Sequence, residues 1–423
     1  MHIKIVLTAL VLAAAAGLPA RDASANDLVA RLEALVLEQQ KLIADQGQRL
    51  ARQEQEMARL SARVDGMRRS RRTILLSEET PGNTVTSGSR DVRLAVSGQV
   101  NRAINVLDDG HSTDAYHVDN NLSNSRIRFI GTGRVNEDVT VGARLEAAIS
   151  PNNSGQVDQE NQNAGDFFDQ RITDVFIESA TFGRLSIGKG FSASDGTAEV
   201  DLSGTTVAAY ASWSDLVSAI RLFDDQADAL STVTIGNVFG SLDGLGRQNR
   251  IAYETPRFFG VNLVGGANVD ESYDGAIRWA GQGHGFKAAA AGGIADFGSR
   301  DPRNYRLSGS ASVLHEATGL NLTLSGGMDE RRDANGSNLY AKVGWLASLF
   351  ETGSTAFSVD VARSENLPTG DDDGVAVGGA VVQHFDRWGA DLYSQFRWID
   401  ADRRGAVDFE DVTVGTAGVR VKF

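Results

Sequence analysis

Eight basic residues, Arg93, Arg126, Arg128, Arg144, Arg278, Arg306, Lys342 and Arg397, fall on the polar parity of segments in which apolar and polar side chains alternate. Guanidinium and ammonium groups set in rows do electrostatic rather than covalent work. They attract anions, orient dipoles across confined water and set ion preference. Each also has a plainer use, an ion pair with a carboxylate on the same wall, for example Arg144 with Glu146. No reactive set accompanies them. The chain has no cysteine, and its six histidines (His2, His111, His117, His284, His315, His384) include no pair at metal-binding helical spacing. There is no GxSxG elbow and no convincing Ser/His/Asp set. Residues 183–189 (GRLSIGK) match the first part of a phosphate-binding loop, but Gly190 stands where Ser or Thr must hold Mg²⁺. The acidic runs 108–110 and 371–374 lack the spaced ligands and closing Glu of a calcium loop. No catalytic residue, cofactor site or metal site is expected.

The elements that carry these basic residues are strands. Val92, Leu94, Val96 and Val100 alternate with Arg93, Ala95, Ser97, Gln99 and Asn101, and the same period of two recurs at 139–147, 320–325, 339–345 and 391–398. At the C-terminus Val419, Val421 and Phe423 share one parity, and Arg420 and Lys422 take the other. The polar faces suit water, and no helices are available to cover the apolar faces. A bilayer meets that need, and only a closed barrel satisfies every backbone group within one. The fold expected is therefore an all-β, antiparallel transmembrane barrel of about 16 strands over residues 92–423, with short turns alternating with long polar loops. Trp279, Trp345, Trp388 and Trp398 suit the two membrane interfaces. A hydrophobic content of 41% fits such a barrel, because half of each strand faces water.

The first ninety residues are of another kind. Lys4, an apolar run over 5–18 and Ala23-Ser24-Ala25 make residues 1–25 a secretory signal peptide. Residues 26–67 fit a heptad register throughout. Val29, Val36, Ile43, Leu50, Met57 and Val64 occupy a, and Leu32, Gln39, Gln46, Gln53, Leu60 and Met67 occupy d. This α-helical coiled coil would be roughly 60 Å long. Leu28, Leu35 and Leu42 at g widen its apolar face and favour three strands over two. Residues 68–91 form a tether, basic at its start and rich in turn-formers at its end. An exported chain without cysteine has no disulfides. Its net charge of −14 argues against a nucleic-acid partner.

Four segments carry a family resemblance. Residues 125–131 (SRIRFIG) resemble a second barrel strand, 182–189 (FGRLSIGK) a turn and fifth strand, and 249–260 (NRIAYETPRFFG) a Tyr-containing strand with a Phe-Gly turn. The ending VTVGTAGVRVKF resembles the terminal strand of Gram-negative outer-membrane proteins, in which a final Phe is part of the assembly signal. Together, in this order, they resemble the general trimeric porins of Gram-negative bacteria, in a branch with a periplasmic coiled coil. The resemblance implies a homotrimer in the outer membrane, in contact with its lipid and lipopolysaccharide, with the third outer loop folded into each lumen. It implies loop acids, here Asp195, Glu199 and Asp201, facing a basic wall. Arg126 and Lys189 match the family's positions, Arg247 or Arg250 supplies another, and Arg128 and Arg144 join them by parity. The activity implied is passive diffusion of small hydrophilic solutes and ions, without an enzymatic step. The inward basic residues also suit a channel selective for anions or carboxylates. The long coil also suits an envelope tether or adhesin, with peptidoglycan as a further partner.

Overall fold

The computed structural model describes residues 84–423, except 90, 166–167, 270, 299–300, 302, 332–333, 368–371 and 404–406, together with Ala34, Leu37, Glu38, Lys41 and Asp45, which are helical. The chain divides into two units, Met1–Glu79 and Thr80–Phe423. The signal peptide, all but those five residues of the coiled coil, and most of the tether lie outside the described residues.

In chain order the strands are β1 (Val85–Gly88), β2 (Val92–Asp108), β3 (Thr113–Asp119), β4 (Arg126–Arg134), β5 (Val139–Ala148), β6 (Asp169–Ser179), β7 (Gly183–Phe191), β8 (Arg221–Asp224), β9 (Ala229–Thr234), β10 (Arg247–Glu254), β11 (Val261–Asn268), β12 (Tyr273–Gly283), β13 (Phe286–Asp296), β14 (Arg303–His315), β15 (Leu320–Arg331), β16 (Gly336–Phe350), β17 (Gly353–Glu365), β18 (Asp372–Phe385), β19 (Ala390–Arg403), β20 (Val407–Asp408) and β21 (Val412–Lys422). Sixteen of them, β2, β4–β7, β10–β19 and β21, close an antiparallel barrel. The seam is β2 against β21, with Val100 opposite Val421. Phe423 completes it by exchanging backbone hydrogen bonds with Gly98. Just below, β1 pairs with β2 (Val85 opposite Val96) and covers the edge that β21 leaves free. This strand falls inside the stretch read as tether.

The period of two decides which side chain meets which medium. Val419, Val421 and Phe423 point outward and are 46%, 44% and 47% exposed, whereas Arg420 between them is 5% exposed. No helix among the described residues is long and apolar enough to cross a membrane. The outward apolar belt of the strands is what a bilayer would meet. Trp279, Trp345 and Trp388 lie towards the short turns and are exposed, while Trp398 lies towards the long loops and donates to Asp411.

The inside is not uniformly polar. Tyr340, Ala376, Val382, Tyr393, Ile399 and Val414 point inward from β16, β18, β19 and β21 and are buried. They pack against apolar residues of the long β7–β10 connection, residues 192–246, in a single cluster that includes Val207, Trp213, Ile220, Ile235 and Phe239. This segment holds the β8–β9 hairpin and the one-turn helix Ile235–Val238. One side of the lumen is therefore a dry core, where the alternation suggested a wet wall throughout.

Candidate functional site

Opposite that core, arginines from β4, β5, β6 and β10 gather on two buried carboxylates. Glu146 of β5 accepts from Arg128 at 2.5 Å and Arg171 at 2.5 Å, with Arg126 at 3.9 Å. Asp174 of β6 takes both arms of Arg144 (2.9 and 2.6 Å) and Nη2 of Arg250 at 2.9 Å. Burying a carboxylate is tolerable only with such partners. These seven groups carry five positive and two negative charges, an excess of three positive. Arg171 reaches the cluster because the β5–β6 pairing slips by one residue between Glu146 and Ala147, which leaves it as the extra residue of a bulge. Further round, Arg306 binds Asp329 through two arms (2.5 and 2.8 Å), and Arg278 donates to the carbonyls of Ala193 and Asp195.

The 192–246 segment supplies the facing side. Its first arm runs along the inner wall and lacks a strand partner, so wall side chains satisfy its backbone. Asp274 accepts from the Ser194 amide at 2.6 Å, Ser310 and Ser312 accept from the Val200 and Leu202 amides at 2.9 and 3.0 Å, and Ser325 donates to the Ala198 carbonyl at 2.6 Å. The connection between β5 and β6 meets the segment at Arg221. Gln159 donates to the Arg221 carbonyl at 2.7 Å, and Glu160 pairs with Arg221 at 2.6 Å.

On this segment three acids gather. Asp243 accepts from the amides of Gly196 and Ala198, and Glu199 accepts from the Ser212 hydroxyl. Asp215 sits near Asp243 and Arg247. Burial raises all three carboxyls above their ordinary range. Asp243 and Asp195 add repulsion at Glu199, and Asp215 is pushed up to about 6. Arg278 and Arg306 face Asp243 from the wall. Acids of the segment thus stand near guanidiniums of the wall.

The expected site residues divide. Arg126, Arg128, Arg144 and Arg250 come together on the inner wall. Arg144 pairs across to Asp174 rather than with Glu146 on its own strand. Glu199 joins the acids, and Asp195 stands beside it. Two expectations need correcting. Lys189 shares the parity of Leu185 and Ile187, both exposed to the outside, and lies between Thr173 and Asn249 on the outer face. Asp201 pairs with Lys342 of β16, an inward basic residue, and not with the arginines gathered on Glu146 and Asp174. Glu146 was visible in the alternation as a partner but not as a hub. Arg171, Asp215 and Asp243 were missed, because a bulge and a folded loop bring them in. Among the described residues no group of three or more His, Asp or Glu is arranged to hold a metal.

A family model described as Gram-negative porin matches residues 84–404. Among solved structures, the trimer form of in-vitro folded OmpT from Vibrio cholerae is similar at 14% identity and TM-score 0.50, covering 79% of this chain and 100% of that one. The anion-selective porin from Comamonas acidovorans is similar at 15% identity and TM-score 0.51, with the same coverage. Salmonella typhi OmpF in complex with daunomycin is similar at 11% identity and TM-score 0.51, covering 80% and 100%. At these identities the likeness is one of fold. No curated protein matches the sequence.

Proposed function

The chain belongs to the Gram-negative porin family, and on that premise we propose that it forms a water-filled outer-membrane channel for passive diffusion of small hydrophilic solutes and ions, with the 192–246 segment as its constriction. Family and fold make it an outer-membrane channel protein; solute and selectivity belong to the proposal. The observation that carries it is the gathering of five guanidiniums on two carboxylates, Glu146 and Asp174, across from the loop acids. A wall with net positive charge favours anions by concentrating them in the narrow section. No bond is made or broken in this reading.

The channel works as a homotrimer, as the trimer form of its Vibrio cholerae relative suggests. Residues 26–67, nearly all outside the described residues, carry the heptad register of a coiled coil, and a periplasmic role in joining subunits or reaching peptidoglycan is part of this proposal. Recording from the purified protein in planar bilayers tests the proposal. Open-channel steps with a reversal potential on the anion side in a salt gradient are expected. A sealed lumen removes the channel, and clear cation preference removes the selectivity. Conductance that saturates with carboxylates alone replaces general diffusion with a carboxylate-selective channel.

A further inference from the structure

Lys342 has no exposed surface although it points into the lumen from mid-strand. Its ammonium has three N–H donors, and three groups of the loop segment surround it. The Asp201 carboxylate pairs with it, the Thr205 hydroxyl accepts at 3.1 Å and the Ala209 carbonyl accepts at 2.8 Å. A buried ammonium is tolerable only when its charge and donors are answered in this way. The place matters as much as the bonds. Residues 194–202 follow the wall through serine contacts, and from Val207 the segment turns into its apolar core. Lys342 grips the corner between them. Gly204 lies in that corner with φ +81, and a Cβ there would stand 3.1 Å from Ala356 Cβ, so the backbone is tight against the wall.

The two flanking stretches are held differently. Apolar packing is non-directional and tolerates sliding, and the Ser310, Ser312 and Ser325 contacts are neutral hydrogen bonds, while Ser194 binds the Asp274 carboxylate at the far end of the arm. At the corner the charged three-point grip supplies strength and direction, beside a 3.0 Å contact between the Gly204 carbonyl and His384 Nε2. We propose that Lys342 is the positioning residue of the constriction. Through Asp201, Thr205 and Ala209 it sets how far Glu199 and its neighbouring acids stand from the arginine wall, and so sets the bore and its selectivity. This rests on the channel reading given above.

The test is planar-bilayer recording of the full chain with Lys342→Met, which keeps the bulk of the side chain and removes its charge. Larger, flickering steps are expected. Recorded at alkaline pH, where the raised carboxyl is ionised, Glu199→Gln is expected to shift the reversal potential in the wild-type background, and that shift falls by about half or more when Lys342→Met is also present. Thr205→Val, which removes one acceptor and leaves the ion pair, gives a smaller change in the same direction and serves where Lys342→Met does not assemble. Wild-type steps in Lys342→Met, or in Thr205→Val if that variant alone assembles, with the full Glu199→Gln shift retained, overturn the inference. A wild-type chain that conducts nothing overturns the channel reading and this inference with it.

Discussion

Arg397 of β19 lies against the indole of Trp213, its guanidinium carbon 4.3 Å from the ring centroid, while its Nη2 donates to Asp360 at 2.6 Å. Wall and loop segment meet here as core meets core, and Trp213 also packs on Phe239 with centroids 5.1 Å apart. Removing this ring costs about 3–5 kcal/mol of packing and uncovers a buried ion pair. The barrel does not depend on it, because strand pairing closes the wall. Trp213→Ala should give larger and noisier single-channel steps, with the folded barrel's heat-modifiable gel mobility unchanged. Wild-type conductance would show that the indole does not hold the constriction.

The barrel was legible because its outer face answers to one medium. Val419, Val421 and Phe423 keep strict alternation, since one slip would put Arg420 into lipid. The inner face answers to two media, and that was harder to read. In β18 the run Gly374–Val382 is apolar at both parities, with Ala376 and Val382 facing the loop core and Val377 facing outward. Such a run signals a strand buried on both faces. The loop acids were only half legible. Glu199 lies close in sequence to the strand before it, whereas Asp243 reaches it only after the chain has built an apolar insert and returned. Lys189 was assigned by likeness to a motif, although its own parity with Leu185 and Ile187 put it outside. Arg171 needed a bulge that no alternation announces.

A one-sided lumen has a direct chemical signature. The chain has no cysteine, so single cysteines can be introduced on a clean background. Ala291 of β13 has inward parity between Arg278 and Ser310 and is partly exposed, while Ala376 of β18 is fully covered by the loop core. A charged, membrane-impermeant thiol reagent should modify Ala291→Cys and reduce its conductance, and leave Ala376→Cys untouched in the folded protein. Equal reaction at both would mean that the core is wet.

The arginine wall predicts opposite effects from its two kinds of charge. Arg144→Gln removes a cation beside Asp174, and Asp174→Asn removes the anion that Arg144 and Arg250 share. Each change alters the local field by one charge. Arg144→Gln should lower the anion-to-cation permeability ratio about two- to fivefold, the scale of about 0.4–1 kcal/mol for one partly screened charge. Asp174→Asn should raise it. Asp174→Asn should also destabilise the barrel more, because it leaves Arg250 buried beside Arg144 without its counter-charge. Reversal potentials and thermal unfolding in detergent check the two halves separately. Shifts of the same sign would rule out a wall that works by net charge.

Acidity should act on the loop side of the constriction. Burial pushes the Asp215 carboxyl up to about 6, with Arg247 pulling it down and Asp243 adding repulsion, and Glu199 and Asp243 are raised as well. Raised carboxyls bind protons more readily in the folded loop than in a solvated one. The docked segment is therefore most stable in acid, and it loses that contribution as pH rises through the folded value, about 6 for Asp215. The same protonation removes negative charge from one side of the lumen and leaves the guanidiniums opposite unchanged. Between about pH 8 and about pH 5 the reversal potential should move steadily towards the anion side, with a step near 6 that Asp215→Asn flattens. Channel noise should fall over the same range as the segment tightens. A move towards cation preference in acid would mean that the three carboxyls do not face the conducting path.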